Sequence, residues 1–164
     1  MTQKTFEKTI LRLKEQLYRF AFSILKDQEE AQDAVQEVVL RLWKKKDELD
    51  ETRNLTSFCM SMIHNYCLDI IRKQKQLKNY TQSNSASEME NPNHEQADLI
   101  AKIKSELKNL PLQQRIVIEL KDFQGYDYEE IIEMLDLSVN AIRVNVSRGR
   151  KRLYQLFKEE LEHV

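Results

Sequence analysis

The stretch 127–153, DYEEIIEMLDLSVNAIRVNVSRGRKRL, decides the fold of the second half of this 164-residue chain. It opens with Asp127 followed three residues later by Glu130, the spacing of a helix-capping box. A short apolar pattern leads to a turn at Ser138, which can cap a longer helix beginning at Val139. A short helix, a tight turn and a longer basic helix are typical of a helix-turn-helix.

The longer helix of this pattern is two-faced. Ile142, Val146, Gly149 and Leu153 form one stripe that can pack on the domain. The remaining positions carry the residue types that read a major groove, since Arg pairs with guanine and Asn with adenine, while Ser is permissive. The predicted base contacts are Arg143, Asn145, Ser147 and Arg148. Arg150, Lys151 and Arg152 are predicted to contact phosphates, which position a protein without reading sequence.

A simpler interpretation of the same cluster is a basic helix end that complements the helix dipole and stays solvated. The capped acidic helix just upstream, at the spacing of a helix-turn-helix, favours DNA binding instead. The segment 122–136 carries six acidic residues and no basic one, whereas 143–152 carries five basic residues and no acidic one. A second basic cluster, with four cations, lies at 72–78. The net charge of −1 therefore excludes a uniformly basic coat but conceals two cationic surfaces.

The composition of the whole chain predicts an all-α fold. Only 2 Gly and 2 Pro occur, so the chain has few of the turn-forming residues that an all-β protein needs. In the first half, apolar stripes predict three helices, with a capping box at Asp27 and Glu30 and a helix cap at Asn54. The segment 79–97 lacks periodicity and is rich in Ser, Asn and Glu, so we predict a flexible linker there. Two small helical domains, 1–78 and 98–164, flank it.

The sequence offers little for catalysis. Cys59 and Cys67 lie eight residues apart in a predicted helix, too far for a disulfide, and fall near its apolar stripe. Glu160 and His163 supply one Glu-x-x-His motif, whereas a di-metal bundle needs two and further glutamates. We therefore expect no metal, no cofactor and no active site. Since no apolar run could span a bilayer and the N-terminus lacks a signal-peptide core, we expect a cytoplasmic protein.

Three stretches together resemble bacterial RNA polymerase sigma factors of the sigma-70 family, in its extracytoplasmic-function (ECF) group. DQEEAQDAVQEVVLRLWKK (27–45) is similar to the region 2.2 helix, and NLTSFCMSMIHNYCLDIIRKQKQ (54–76) to the helix that opens and reads the promoter −10 element. LKNLPLQQRIVIELKDFQGYDYEEIIEMLDLSVNAIRVNVSRGRKRL (107–153) is similar to region 4, the −35 reader.

The resemblance implies an alternative sigma factor that binds core RNA polymerase and directs it to specific promoters for transcription initiation. It implies region 2 over 1–78, a winged-helix-like region 4 over 98–164, and a non-catalytic role. The implied partners are the coiled coil of the largest polymerase subunit, the polymerase flap, promoter DNA and an anti-sigma factor, in many members membrane-bound. The implied polymerase-docking residues are Asp33, Gln36, Glu37, Leu40 and Arg41. The implied −10 contacts are Arg53, Asn54, His64, Asn65, Arg72 and Lys73.

Each of these residues also has a structural interpretation. The docking set could be an ordinary solvated helix face, Asn54 only a helix cap and Asn65 only a packed polar residue. The sequence also departs from the family pattern. Phe58 replaces a Trp at a position we expect in the core, Val144 and Asn145 stand where Ser and Arg are common, and Gly149 replaces Ala.

Two other functions fit the residues. A stand-alone helix-turn-helix regulator would bind a palindromic duplex without polymerase. A helical protein-interaction adaptor would keep its function when Arg143 and Arg148 are replaced by alanine.

Overall fold

The computed structural model of the protein describes residues 1–50, 54–80 and 99–162. Within these ranges the chain is helix and turn without a β-strand, which confirms the predicted all-α fold. The helices are α1 Gln3–Leu25, α2 Gln28–Lys44, α3 Leu55–Tyr80, α4 Leu99–Leu107, α5 Leu112–Ile118, α6 Tyr128–Met134 and α7 Val139–Glu162. A 3-10 turn, Lys46–Glu48, follows α2, and a π-helical turn, Glu119–Phe123, extends α5.

The first three helices pack on one another, and their ends are fixed by the side chains that the sequence predicts. Asp27 Oδ1 accepts from the backbone N–H of Glu30 at 2.9 Å, and Asn54 Oδ1 accepts from that of Ser57 at 3.2 Å. The carboxylate of Glu30 accepts from Gln74 Nε2 at 2.8 Å, so it ties α2 to α3 across the bundle. The helix caps predicted at Asp27 and Asn54 are confirmed.

In the second half the predicted helix-turn-helix is present. Asp127 Oδ1 caps α6 through the N–H of Glu130 at 2.8 Å, and Ser138 Oγ caps α7 through the N–H of Ala141 at 3.1 Å. The chain reverses before α6 at Gly125, whose φ of 77° lies in the left-handed region that glycine adopts without steric cost. These caps fix the angle at which α7 leaves the turn.

The two halves share one hydrophobic core, because α1 packs on α5 and α3 packs on α6. Arg115 of α5 is the polar centre of this junction and is only 6% exposed. Its guanidinium donates to the carbonyl oxygens of Ser23 and Ile24 at the end of α1, the latter at 3.0 Å. It also donates to the carbonyl of Leu110 at 3.2 Å within its own domain.

Three further hydrogen bonds join the halves. Tyr126 Oη donates to Gln16 Oε1 at 2.5 Å, and Gln124 Nε2 donates to the Gln16 carbonyl at 3.3 Å. Ser57 Oγ donates to Glu133 Oε2 at 3.2 Å. The side chains of one half therefore saturate backbone and polar groups of the other, as a buried junction requires.

The structure also differs from the sequence-based expectations. Helix α3 continues to Tyr80, beyond the boundary predicted at 78, while residues 81–98, which hold most of the predicted linker, lie outside the described residues. Phe58 was expected in the core but is 43% exposed, because its neighbours Ser57 and Cys59 take the inward positions of the first turn of α3.

Both cysteines are core residues, as predicted. Cys59 and Cys67 are buried, and burial raises the pKa of the Cys59 thiol to about 11 and that of Cys67 to about 12. The reactive thiolate form is therefore scarce at neutral pH.

Candidate nucleic-acid and polymerase-binding surfaces

The outer face of α7 is a compact surface for duplex DNA. Ile142, Val146 and Gly149 are buried against the domain. The opposite face is exposed over three turns, and its residues are Asn140, Arg143, Val144, Ser147, Arg148 and Lys151. The predicted base-contacting residues Arg143, Ser147 and Arg148 thus share one outward surface, the reading face.

Arg143 of the reading face and its neighbour Asn145 make contacts inside the domain. The Arg143 guanidinium carbon lies 5.4 Å from the ring centroid of Tyr128, a cation–π contact that holds the side chain against α6. Asn145 is half-buried, and its Nδ2 donates to the Ala141 carbonyl at 2.8 Å and to Gln113 Oε1 at 3.5 Å. Its predicted base contact stays a prediction, and it would require this amide to leave both acceptors.

The cations at the C-terminal end of the reading face and just beyond it fall into two groups. Arg150 makes a two-point contact with Asp122 of the π-helical turn, Nε to Oδ2 at 2.9 Å and Nη2 to Oδ1 at 2.5 Å. That carboxylate raises the pKa of Arg150. Lys151 and Arg152 are exposed. The geometry therefore leaves Lys151 and Arg152 better placed for phosphates than Arg150, whose charge is already paired.

A close helix contact sets the depth of α7 in its domain. A Cβ placed on Gly149 would come within 2.9 Å of Ile118 Cγ1 and 3.2 Å of Ile118 Cδ1. Only a residue without a side chain lets α7 approach α5 this closely. Gly149 therefore marks the close packing of α7 on α5.

The predicted −10 residues lie on α3, except Arg53, which lies outside the described residues. Asn54, Asn65, Arg72 and Lys73 are exposed, and Arg72 pairs with Asp69 at 3.4 Å. His64 is half-buried, with its ring stacked on Phe20 at 6.2 Å between centroids.

Burial lowers the pKa of His64, a hydrogen bond that the imidazole donates to the Asn65 side chain raises it, and the nearby charge of Arg72 lowers it. The net lowering means that His64 is held neutral at physiological pH.

A cleft of about 420 Å³ separates this part of α3 from the helix-turn-helix domain. Its α3 wall includes His64, Asn65 and Arg72, and its other wall includes Gln113 of α5 and Asp136 of the helix-turn-helix turn. The middle of the predicted −10 surface therefore faces the second domain, whereas the reading face of α7 points to solvent.

The predicted docking residues form one outward face of α2. Leu40 is 47% exposed among polar neighbours. Arg41 pairs with Glu37 at 3.0 Å, and its guanidinium carbon lies 5.0 Å from the ring centroid of Tyr66. Asp33 and Gln36 continue the face one turn earlier. Single exposed apolar residues are common on protein surfaces, so Leu40 does not by itself identify this face as a protein contact.

Comparisons with known proteins agree with this arrangement. Residues 9–76 match the family model of Sigma-70 region 2, and residues 100–153 match that of Sigma-70 region 4. The RNA polymerase sigma factor SigZ of Bacillus subtilis strain 168 is 30% identical over 135 residues, which cover 80% of this chain and 75% of SigZ. The chain belongs to the sigma-70 family.

The ECF group of that family is indicated by relatives such as the ECF RNA polymerase sigma factor SigX of Bacillus subtilis strain 168, which is 23% identical over 171 residues, covering 97% of this chain and 88% of SigX. SigV of Bacillus subtilis strain 168 is 26% identical over 149 residues, covering 90% of this chain and 89% of SigV. The solved sigma factor RpoE of Bartonella quintana, in complex with the anti-sigma factor NepR, superposes with a TM-score of 0.81 and 26% identity over 94% of this chain and 98% of that one. CnrH, solved with the cytosolic domain of CnrY, has the same fold, with a TM-score of 0.70 and 22% identity over 96% and 90%.

The protein is thus an alternative sigma factor of the ECF group, which directs RNA polymerase to promoters. In the described part of this sigma factor, no His, Cys, Asp and Glu side chains converge as metal ligands. Within residues 1–50, 54–80 and 99–162, no helix is long and apolar enough to cross a membrane.

Sequence reasoning missed two exposed apolar residues on the sigma factor's surfaces. Val144 lies in the middle of the reading face, and Phe58 lies one turn after Asn54 at the start of α3. The apolar stripes of α7 and α3 could have shown that both residues point outward. Phe58 was instead expected in the core, and Val144 was assigned no contact.

Acidity should act on this sigma factor through Glu119, beside the junction of the halves. Burial raises the pKa of Glu119, while Gln124, Lys104 and Arg19 lower it by smaller amounts. As the pH rises from the usual Glu pKa of 4.5, the unfolded state ionises first, so the free energy of unfolding falls. Glu119→Gln should remove this fall and make the chain more stable at pH 7.

The free energies of unfolding of the wild type and of Glu119→Gln should converge near pH 4, where Glu119 is largely protonated in both the folded and the unfolded state. Urea unfolding across this pH range, with Glu129→Gln on the exposed side of α6 as the control, measures the difference. A wild-type chain equal to Glu119→Gln at pH 7 would contradict the assigned burial cost.

Proposed function

We propose that this sigma factor recognises promoters through three separate surfaces that act together only on the polymerase. The reading face of α7 contacts the −35 duplex, α3 contacts the opened −10 strand, and the outer face of α2 docks on the largest-subunit coiled coil. The observation that carries this proposal is the reading face, where Arg143, Ser147 and Arg148 point outward from a buried apolar stripe. Each surface alone is small, and the tethered contacts gain affinity from a high effective concentration.

Docking is assigned to Asp33, Gln36, Glu37, Leu40 and Arg41. Leu40 supplies the apolar centre, and the surrounding charges supply orientation. The polymerase flap is the second expected docking site, for region 4.

Strand capture is assigned to α3 and the residues just before it. Asn54 and the exposed cations Arg72 and Lys73 can follow a phosphate backbone, and the exposed ring of Phe58 offers a face for an unstacked base. Arg53 joins this set from outside the described residues. Because His64, Asn65 and Arg72 line the cleft, we propose that the two halves separate before the −10 strand is bound.

An anti-sigma factor is the further partner we propose. The RpoE chain that superposes over nearly all of this sigma factor was solved with the anti-sigma factor NepR. A partner of this kind would bind surfaces that polymerase and DNA also need. We further propose that the protein works in the cytoplasm as a non-catalytic subunit, where promoter DNA and polymerase meet.

Reconstituted transcription tests the proposed function. The purified chain is added to core RNA polymerase and supplied with a template library randomised at both promoter elements. We expect transcripts that share a −35 and a −10 sequence and that need the added chain. The double variant Arg143→Ala, Arg148→Ala should lose them, while Arg12→Ala, an exposed cation of α1, should not.

Two outcomes would overturn this function. Specific duplex binding to a palindrome without polymerase would favour a stand-alone regulator. No transcript that depends on the added chain would favour a helical adaptor, and full activity of the double variant would remove the reading face from promoter recognition.

Arg148→Ala should weaken binding of the −35 duplex by about 1–3 kcal/mol, since Arg148 is exposed on the reading face and suited to a guanine. Fluorescence anisotropy with the selected duplex and single-base variants measures the loss and its dependence on sequence. Arg152→Ala should weaken all duplexes alike, as a phosphate contact does. An equal loss on all sequences for Arg148→Ala would assign Arg148 to the backbone instead.

A further inference from the structure

Val144 is an apolar residue at the centre of a polar, cationic helix face. At 100° per residue, it lies about 170° from the mean direction of the buried stripe of α7, so it points almost straight away from the domain. Its side chain is 43% exposed. Its neighbours one turn before and after are Asn140, Ser147 and Arg148, all exposed.

Neither packing nor helix stability accounts for a valine at this position. The side chain faces solvent, and valine is a poorer helix former than alanine or the charged residues by roughly half a kcal/mol, because the preceding turn restricts its χ1 angle. Residues 139–152 otherwise carry their buried apolar side chains on the opposite face. Single exposed apolar residues are common, so it is the place of Val144 at the centre of the reading face, and not its exposure alone, that points to a ligand.

The chemistry of the major groove identifies a ligand for such a side chain. Each base pair presents a distinct edge there, and the one apolar group among them is the 5-methyl of thymine. The flanking side chains of Arg143, Ser147 and Arg148 donate hydrogen bonds to base edges or phosphates, whereas Val144 can only offer methyl groups.

We propose that Val144 is a specificity-determining residue that reads a thymine in the −35 element through van der Waals contact with its 5-methyl group. This inference rests on the proposed function, because it requires α7 to lie in the −35 major groove. It also accounts for the geometry of Asn145, whose amide is bonded within the domain and is not needed for this base.

Replacement of thymine by uracil tests the contact directly, because it removes the methyl group and leaves base pairing unchanged. The reconstituted holoenzyme is bound to a promoter selected from the randomised library, with each −35 thymine of either strand replaced singly. For the wild-type chain, we expect one replacement to weaken binding about fourfold, the factor that corresponds to burial of one methyl-sized group.

The variants separate this contact from general effects. Val144→Ala should bind the thymine promoter about as weakly as wild type binds the uracil promoter, and should lose the thymine–uracil difference. Val144→Thr keeps a methyl group and should keep most of that difference. Leu156→Ala, a matched control at a 51% exposed apolar residue further along α7, should keep all of it.

Three results would overturn the inference while leaving the proposed function in place: a selected −35 sequence without thymine, no effect of uracil at any position, or an undiminished effect in Val144→Ala. If the library yields no shared −35 sequence at all, the proposed function fails and the assignment of Val144 fails with it.

Discussion

Replacing Arg115 by alanine should separate the two halves of the protein and lower its free energy of unfolding by about 3 kcal/mol, since hydrogen bonds from a charged group each contribute about 1.5–3 kcal/mol. The guanidinium is the donor for the last carbonyls of α1 and for the turn before α5. Without it, those carbonyls regain partners only by admitting water. Small-angle scattering should show a larger radius of gyration, and amide exchange should rise along the α3 wall of the cleft.

The controls distinguish loss of the junction from loss of a positive charge. Arg19→Ala removes an exposed arginine that pairs with Glu15 and should change stability by less than about 0.5 kcal/mol. Arg115→Lys keeps the charge but cannot reach as many acceptors. Its free energy of unfolding should therefore lie between those of the wild type and of Arg115→Ala. An unchanged radius of gyration in Arg115→Ala would show that the shared apolar core and the remaining hydrogen bonds hold the halves together without Arg115.

Replacing Gly149 by leucine should destabilise the helix-turn-helix by about 3 kcal/mol, the upper part of the usual range for overpacking. A Cβ alone would lie 2.9 Å from Ile118 Cγ1, so a larger side chain must push α7 away from α5. Thermal and urea unfolding of the full chain measure the loss. Binding of the −35 duplex should fall as well, because the reading face moves with α7.

Two further chains make this prediction specific. Ser147→Leu adds the same side chain to the exposed face of α7 and should cost no more than about 0.5 kcal/mol. The double variant Ile118→Ala, Gly149→Leu should lose less free energy of unfolding than the two single variants lose in sum, because the cavity left by Ile118 admits the leucine side chain. A Gly149→Leu chain as stable as wild type would mean that the two helices do not approach as described.

The elements of the fold could be predicted because their signals are local. Helix caps at Asp27, Asn54, Asp127 and Ser138 need only the side chain and the next turn, and all four are confirmed. Apolar periodicity likewise predicted the inward and outward faces of α7. Both are properties of a few neighbouring residues.

The junction between the halves could not be predicted in this way. In the sequence Arg115 has Glu119 four residues on, the spacing of an ordinary surface ion pair, whereas its partners across the junction are backbone carbonyls some ninety positions away. The exposure of Phe58 was missed because aromatic residues usually pack inward. The residues assigned to polymerase and DNA remain predictions, since their roles depend on molecules that bind to the surface.

Main-chain carbonyls do not titrate, and the Arg115 side chain stays charged at physiological pH although burial lowers its pKa. The hydrogen bonds of Arg115, which apolar neighbours enclose, therefore respond little to mild acid or to dissolved ions. A macromolecule can then separate the two halves when it binds one half more tightly than the other half does. Promoter recognition by this sigma factor then depends mainly on the concentrations of the macromolecules that compete for its two halves.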